Sequence, residues 1–168
     1  MSVIEAPKPA ASPINSKLIM PFVNSVRSVF TTMVNVPTTL GKPFLKKDPC
    51  PSYDVSSIIG FSGDITGCVV VSLQMKAAEQ LVSAFAGTPI DSTSPDFADA
   101  IGELANMIAG AAKKDLGHAA RISIPSVIIG TGHLIARLSD VPCIVIPCQT
   151  PSGDFTVEVS IKPVNHSA

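Results

Sequence analysis

The chain has 168 residues, 46% of them apolar and only 15% charged, with a net charge of −1. That is the length of one domain, with ample material for a core and too few charges for a disordered chain. No basic stripe is present to neutralise nucleic-acid phosphates. The mean hydropathy of +0.41 comes without the run of about 18 apolar residues that a membrane span needs. Charge this far below the usual ~25% implies a chain that buries much of its surface or shares it with a partner.

Residues 1–13 are rich in Ala, Pro and Ser, and they lack the basic start and apolar stretch of a targeting segment. They read as a flexible N-terminal tail ahead of a domain over 14–165, and the expected compartment is the cytoplasm. From Asn15 to Asn35, Leu18, Ile19, Phe22, Val23, Val26, Phe30, Met33 and Val34 recur at helical spacing. Pro21 either lies in the first turn of a helix starting near Met20 or kinks a longer one.

Two β-rich runs follow, Val55–Phe61 and Val69–Leu73, around Ser62-Gly63-Asp64, which predicts a hairpin. A second hairpin is expected at the end of the chain, with its turn at Ser152-Gly153-Asp154. Its last strand alternates strictly, Phe155, Val157, Val159 and Ile161 against Thr156, Glu158, Ser160 and Lys162. The shared Ser-Gly-Asp wording hints at an internal pseudo-repeat, but two separate hairpins that use good turn residues are the preferred reading. Between them, residues 75–86 predict a short amphipathic helix stopped by Gly87. Ser94-Pro95-Asp96 reads as the N-cap, first-turn proline and dipole-favoured acid of a longer helix that runs to Lys113-Lys114 and Gly117. Arg121–Ile129 is strand-like and is broken by Gly130-Thr131-Gly132. The sum is an α+β domain, an antiparallel sheet with helices packed on it.

The long helix carries the chemistry. Phe97, Ile101, Leu104, Ala105, Ile108 and Ala112 share one apolar stripe, which must face the core. Asp99, Glu103, Asn106 and Gly110 fall on the opposite side, and Gly102 and Gly110 flank the polar row. Two glycines inside a helix cost about 1 kcal/mol each against alanine, so their presence suggests that another surface approaches the backbone there. Glu is scarce (Glu5, Glu79, Glu103 and Glu158), and the row has no basic partner at i+4 that would make it a salt-bridge ladder.

Other candidates are weaker. Cys50, Cys68, Cys143 and Cys148 match no metal-ligand spacing and form no ligand set with His118, His133 and His166. They read as reduced cysteines packing as small apolar residues, with no metal assigned. His133, beside a turn, reads as structural, and Gly130-Thr131-Gly132 lacks the length and lysine of a phosphate loop.

The helix Asp99-Ala-Ile-Gly-Glu103-Leu-Ala-Asn106-Met-Ile-Ala-Gly110 closely resembles the signature of the CheX/CheC/FliY family of chemotaxis phosphatases, Asp/Ser-x3-Glu-x2-Asn. Pro21-Phe22-Val23 with Val29-Phe30-Thr31-Thr32-Met33 resembles the first helix of its CheX members. Ile124-Pro125-Ser126-Val127-Ile128-Ile129-Gly130 resembles the strand and turn after the motif helix. The resemblance implies a CheC-like/CheX-like fold and removal of phosphate from the phospho-aspartate of a CheY-like response regulator, which supplies its own Mg²⁺ and lysine. By that resemblance Asn106 orients the attacking water, as a carboxamide that both donates and accepts can. Glu103 docks to the partner's lysine, while Asp99, Gly102 and Gly110 belong to the partner-binding face. A single motif per chain resembles CheX, which implies a homodimer, because the first helix offers Asn24 but no glutamate. The alternative is a non-catalytic CheC/FliM-like interaction module that binds a response regulator or switch protein. A thiol or metal enzyme has only scattered cysteines in its favour.

Overall fold

The computed structural model describes residues 14–47, 50, 52–117, 119–137 and 141–165; the N-terminal segment 1–13, His118 and His166 lie outside the described residues. Helix α1, Ser16–Val29, begins where the Asn15 side chain accepts the Lys17 N–H at 3.1 Å. Pro21 therefore lies inside the helix, which starts about a turn before Met20. The ring removes the donor that the Lys17 carbonyl would have received, and Lys17 is exposed, so water can replace it. The helix then widens into a π-turn, Phe30–Val34, closed by Asn35 in the left-handed region (φ 54°) with its N–H 2.9 Å from the Phe30 carbonyl. The wider turn keeps both Phe30 and Val34 in the core. The apolar spacing at these positions fits an α-helix or a π-turn equally, so the sequence does not show the switch.

The strands are β1 (Thr39–Leu40), β2 (Phe44–Leu45), β3 (Val55–Gly63), β4 (Ile65–Leu73), β5 (Ala120–Ile122), β6 (Ser126–Ile129), β7 (Ile144–Thr150) and β8 (Gly153–Pro163). They form one antiparallel sheet in the order β1-β7-β8-β4-β3-β5, with β2 also on β7 and β6 also on β3. Both expected hairpins form. In the second, Thr150 pairs with Gly153, so the turn is Pro151-Ser152 and Gly153 already belongs to the strand. The hairpins meet along β4 and β8, where Ile65 faces Pro163, Val69 faces Val159 and Leu73 faces Phe155. A shift of 90 residues carries Ile65 onto Phe155, Val69 onto Val159 and Leu73 onto Pro163, and leaves this pairing unchanged. The two Ser-Gly-Asp segments thus occupy equivalent places about a local two-fold axis at the Val69–Val159 pair.

Helices α1, α2 (Met75–Ala86) and α3 (Phe97–Asp115) pack together, α1 and α3 lying on one face of the sheet. Phe22 meets Phe61 edge-on with ring centres 5.9 Å apart, and Phe30 stacks on Phe155 at 5.1 Å. Ser25 ties α1 to α3 by donating to the Ile108 carbonyl at 2.5 Å. The first amide of α2, Met75, donates to the carboxylate of Asp54, the residue just before β3, at 2.9 Å, and Gly87 ends that helix in the left-handed region (φ 69°). None of the helices is long and apolar enough to cross a membrane, among the described residues.

The other face of the sheet is also covered. Ser56, Ser72, Glu158 and Ser160 are buried there. Lys46 reaches both carboxylate oxygens of Glu158 at 3.1 Å, and Arg137 meets Glu158 at 2.9 Å and Ser160 at 2.8 Å. His133 bonds the Gly130 carbonyl through Nδ1 (2.6 Å) and Ser56 through Nε2 (2.7 Å). Cys143 and Cys148 are buried as expected, but Cys50 is exposed and Cys68 partly so, which corrects the reading of all four as packing residues. Burial pushes the Cys148 thiol up to about 12.

Alkylation at mildly alkaline pH should therefore label Cys50 in the native protein and spare Cys148 until denaturant is added. Mass spectrometry of peptides from native and unfolded samples checks this, and rapid native labelling of Cys148 would contradict its placement.

Candidate functional site

Ser94 begins the turn into α3. Its hydroxyl accepts the Asp96 N–H and its carbonyl accepts the Phe97 N–H, both at 3.2 Å. The regular helix starts at Phe97, with Asp96 in the cap position, so Ser94-Pro95-Asp96 forms a lead-in turn rather than the first helical turn. Phe97, Ile101, Leu104, Ala105, Ile108 and Ala112 are all at most 2% exposed. With that face fixed against the core, helical geometry turns the remaining residues outward. Asp99 and Glu103 are exposed, and Asn106 and Gly110 are half-buried.

The side chains of Asp99, Glu103 and Asn106 make no hydrogen bond or ion pair with any described residue. Glu103 and Asn106, three positions apart, place their Cβ atoms about 5–6 Å apart on one surface. They line a groove of about 440 Å³ with Ala98, Asp99 and Gly102 on the helix and Pro125 and Val127 opposite. One wall is polar and anionic, the other apolar. No hydroxyl, thiol or imidazole lines it, so the groove offers carboxylates to attract a cation and a carboxamide to hold water.

The structure separates the two glycines. Gly102 is buried, not part of the outward row: a Cβ there would stand 2.9 Å from Pro125 Cγ and 3.7 Å from Val127 Cγ2. The close approach that it permits is made by the chain's own 123–127 segment. At Gly110, nothing lies within 4 Å of a Cβ, so that position is open to another surface. Pro125 and Val127 were not among the sequence candidates. Their signal was a proline inside a strand-like run, which marks an interruption. His133 lies on the other side of the sheet with both ring nitrogens engaged, and no group of three His, Cys, Asp or Glu is placed to hold a metal among the described residues.

The glycines give opposite expectations for stability. Gly110→Ala should gain up to about 1 kcal/mol of helix propensity and raise Tm by roughly 2–4 °C. Gly102→Ala should lose more through overpacking against the proline ring, about 1–3 kcal/mol, and lower Tm. Calorimetry of the two variants checks the pair, and a Gly102→Ala protein more stable than the parent would contradict the close seating of Pro125.

The family model described as "Chemotaxis phosphatase CheX" matches residues 55–149, more than half of the chain. The CheY-P phosphatase CheX of Thermotoga maritima is 25% identical over 154 residues, covering 89% of this chain and 98% of that protein. A CheC-like superfamily protein from Shewanella sp. PV-4 superposes with a TM-score of 0.80 at 31% identity, over 89% of this chain and 99% of the other. The CheX of Borrelia burgdorferi, solved as a complex with CheY, BeF3 and Mg²⁺, shares the fold with a TM-score of 0.73 at 24% identity, over 86% and 97% of the two chains. With its motif helix, its sheet and the matched residues all in agreement, the chain belongs to the CheX family of chemotaxis phosphatases.

Proposed function

We propose that the chain hydrolyses the aspartyl phosphate of a CheY-like response regulator in the cytoplasm. The observation that carries this reading is the unpartnered pair Glu103 and Asn106, side by side on the outer surface of α3. The name of the Thermotoga relative and the CheY complex of the Borrelia protein support it. An aspartyl phosphate is an activated acyl phosphate, and the Mg²⁺ that neutralises its oxygens is held by the partner, so this chain needs no cofactor of its own. What remains is to place a water in line with the phosphorus. The Asn106 carboxamide accepts one water proton through its oxygen and directs the water's lone pair, the role a glutamine plays in small GTPases. Glu103 draws the partner's active-site lysine into an ion pair that sets the angle of α3. Asp99, one turn before Glu103, adds negative charge to the docking face, and Gly110 leaves room beside it.

We also propose that two copies pair. The outermost strands support this, because β2 and β6 carry Phe44, Ile128 and Ile129 at 49%, 37% and 48% exposure, and an outer strand offers unpaired backbone to a second sheet.

Incubation with a phosphorylated CheY-like receiver should show phosphate loss. Asn106→Ala should cut that rate about 10²–10³-fold, the scale of one aligned catalytic hydrogen-bonding group, while binding to a BeF3-activated receiver persists. Glu103→Ala should weaken binding itself. Full turnover by Asn106→Ala would overturn the mechanism, and binding without turnover by the parent would favour a non-catalytic module. For assembly, light scattering should return twice the chain mass, and Phe44→Lys and Ile128→Lys tell which edge pairs; a monomeric parent would overturn the dimer.

A further inference from the structure

The strand-like run from Arg121 to Ile129 is one edge of the sheet interrupted once. Ile122 pairs with Phe61 and Ser126 pairs with Ile58, so Ser123, Ile124 and Pro125 stand opposite only Ile59 and Gly60. One residue is extra, which makes this a β-bulge. Bulges at sheet edges re-aim side chains and end regular pairing. This one is fixed on both sides. Ser123 donates its N–H to the Gly60 carbonyl and accepts the Gly60 N–H on its hydroxyl, both at 2.9 Å, and that hydroxyl donates to the Ile124 carbonyl at 2.8 Å. Pro125 is seated against α3 at Gly102, where a Cβ would come within 2.9 Å. The bulge is thereby locked to the helix that carries Glu103 and Asn106, and Pro125 and Val127 form the second wall of their groove.

Ile124, in the middle of the bulge, is 86% exposed, far more than any other large apolar side chain described. Single exposed apolar residues are ordinary. This one differs because a rigid bulge, tied to the motif helix through Pro125 and Gly102, holds it out of the ladder. Leaving an isoleucine in water forgoes the favourable burial that most of the chain's aliphatic side chains obtain.

We infer that Ile124 is a specificity-determining contact: the bulge presents it to an apolar side chain of the receiver domain flanking the aspartyl phosphate, while Glu103 and Asn106 engage the polar centre. This rests on the proposed function, and it adds an apolar anchor to an otherwise anionic face. The anchor touches the partner away from the reacting atoms, so it governs association and leaves the chemical step to Asn106.

The test compares the parent, Ile124→Ser, Ile124→Val and Asn106→Ala, all full-length, against one phosphorylated CheY-like receiver. Because Ile124 is almost wholly exposed, its replacement leaves the core untouched. Ile124→Ser should raise KM about tenfold with kcat unchanged at saturation, and Ile124→Val should recover most of the difference. If the parent binds without turnover, Kd for the BeF3-activated receiver is read instead, with the same tenfold expectation. Unchanged KM and Kd in Ile124→Ser, a fall in kcat alone, or a changed oligomeric mass in light scattering would overturn the inference. An inactive Asn106→Ala beside a fully normal Ile124→Ser would sink this inference and leave the proposed function standing. Full activity in Asn106→Ala would sink the catalytic reading instead. No binding of any receiver by the parent would overturn both.

Discussion

Everything about the site follows from how completely one face of α3 is buried. Phe97, Ile101, Leu104 and Ile108 are each at most 1% exposed, and burying each such side chain stabilises by about 1.5–3 kcal/mol. Against this the polar row is a minor electrostatic burden. Asp99 and Glu103 are like charges at i and i+4, unfavourable by roughly 0.2–0.5 kcal/mol, partly offset for Asp99 by the positive end of the helix dipole. Burial sets the rotation of the helix, and the row has no energetic vote in it. The residues on the outer face are therefore free of folding duties, and they hold a fixed direction without any bond of their own.

The same packing explains why the chain is so poor in charge. Alternation along β8 resembles a sheet with one wet face, yet Glu158 and Ser160 are each only 5% exposed. The sheet is covered on both sides, by helices on one and by the segments bearing Lys46, His133 and Arg137 on the other. Small hydroxyls serve well on such a face, because Ser56 and Ser72 bond each other at 3.0 Å and Ser72 accepts the Tyr53 N–H at 2.9 Å. A buried carboxylate is tolerated only with its charge matched, and Glu158 has two cations.

Periodicity and punctuation made most of this architecture legible. The two hairpins, α2 with its glycine stop, and the core stripe of α3 needed only local patterns. The features that escaped depend on partners distant in sequence. Nothing local shows that Asp54 caps α2, or that Pro151-Ser152 makes the turn in place of Ser152-Gly153-Asp154. Gly102 illustrates the limit well. The wheel placed it beside the polar row, and the cost of a helical glycine signalled a close approach, but only the folded chain identifies the approaching group as Pro125. Likewise, Pro125 announced an interruption, and the pairing register was required to show a bulge of one residue.

The chain holds two kinds of carboxylate, and dissolved salt acts on them unequally. Mobile ions screen exposed charges beyond about 8 Å at physiological ionic strength and have little access to a buried pair. Asp99 and Glu103 stand open to those ions, whereas Glu158 is enclosed with Lys46 and Arg137 within 3.1 Å. Ionic strength thus becomes a dial that turns down long-range attraction between this surface and a cationic partner while leaving the fold's own ion pairs almost untouched. The open carboxylates of α3 and the enclosed ion pairs of the sheet are electrostatically decoupled in this domain.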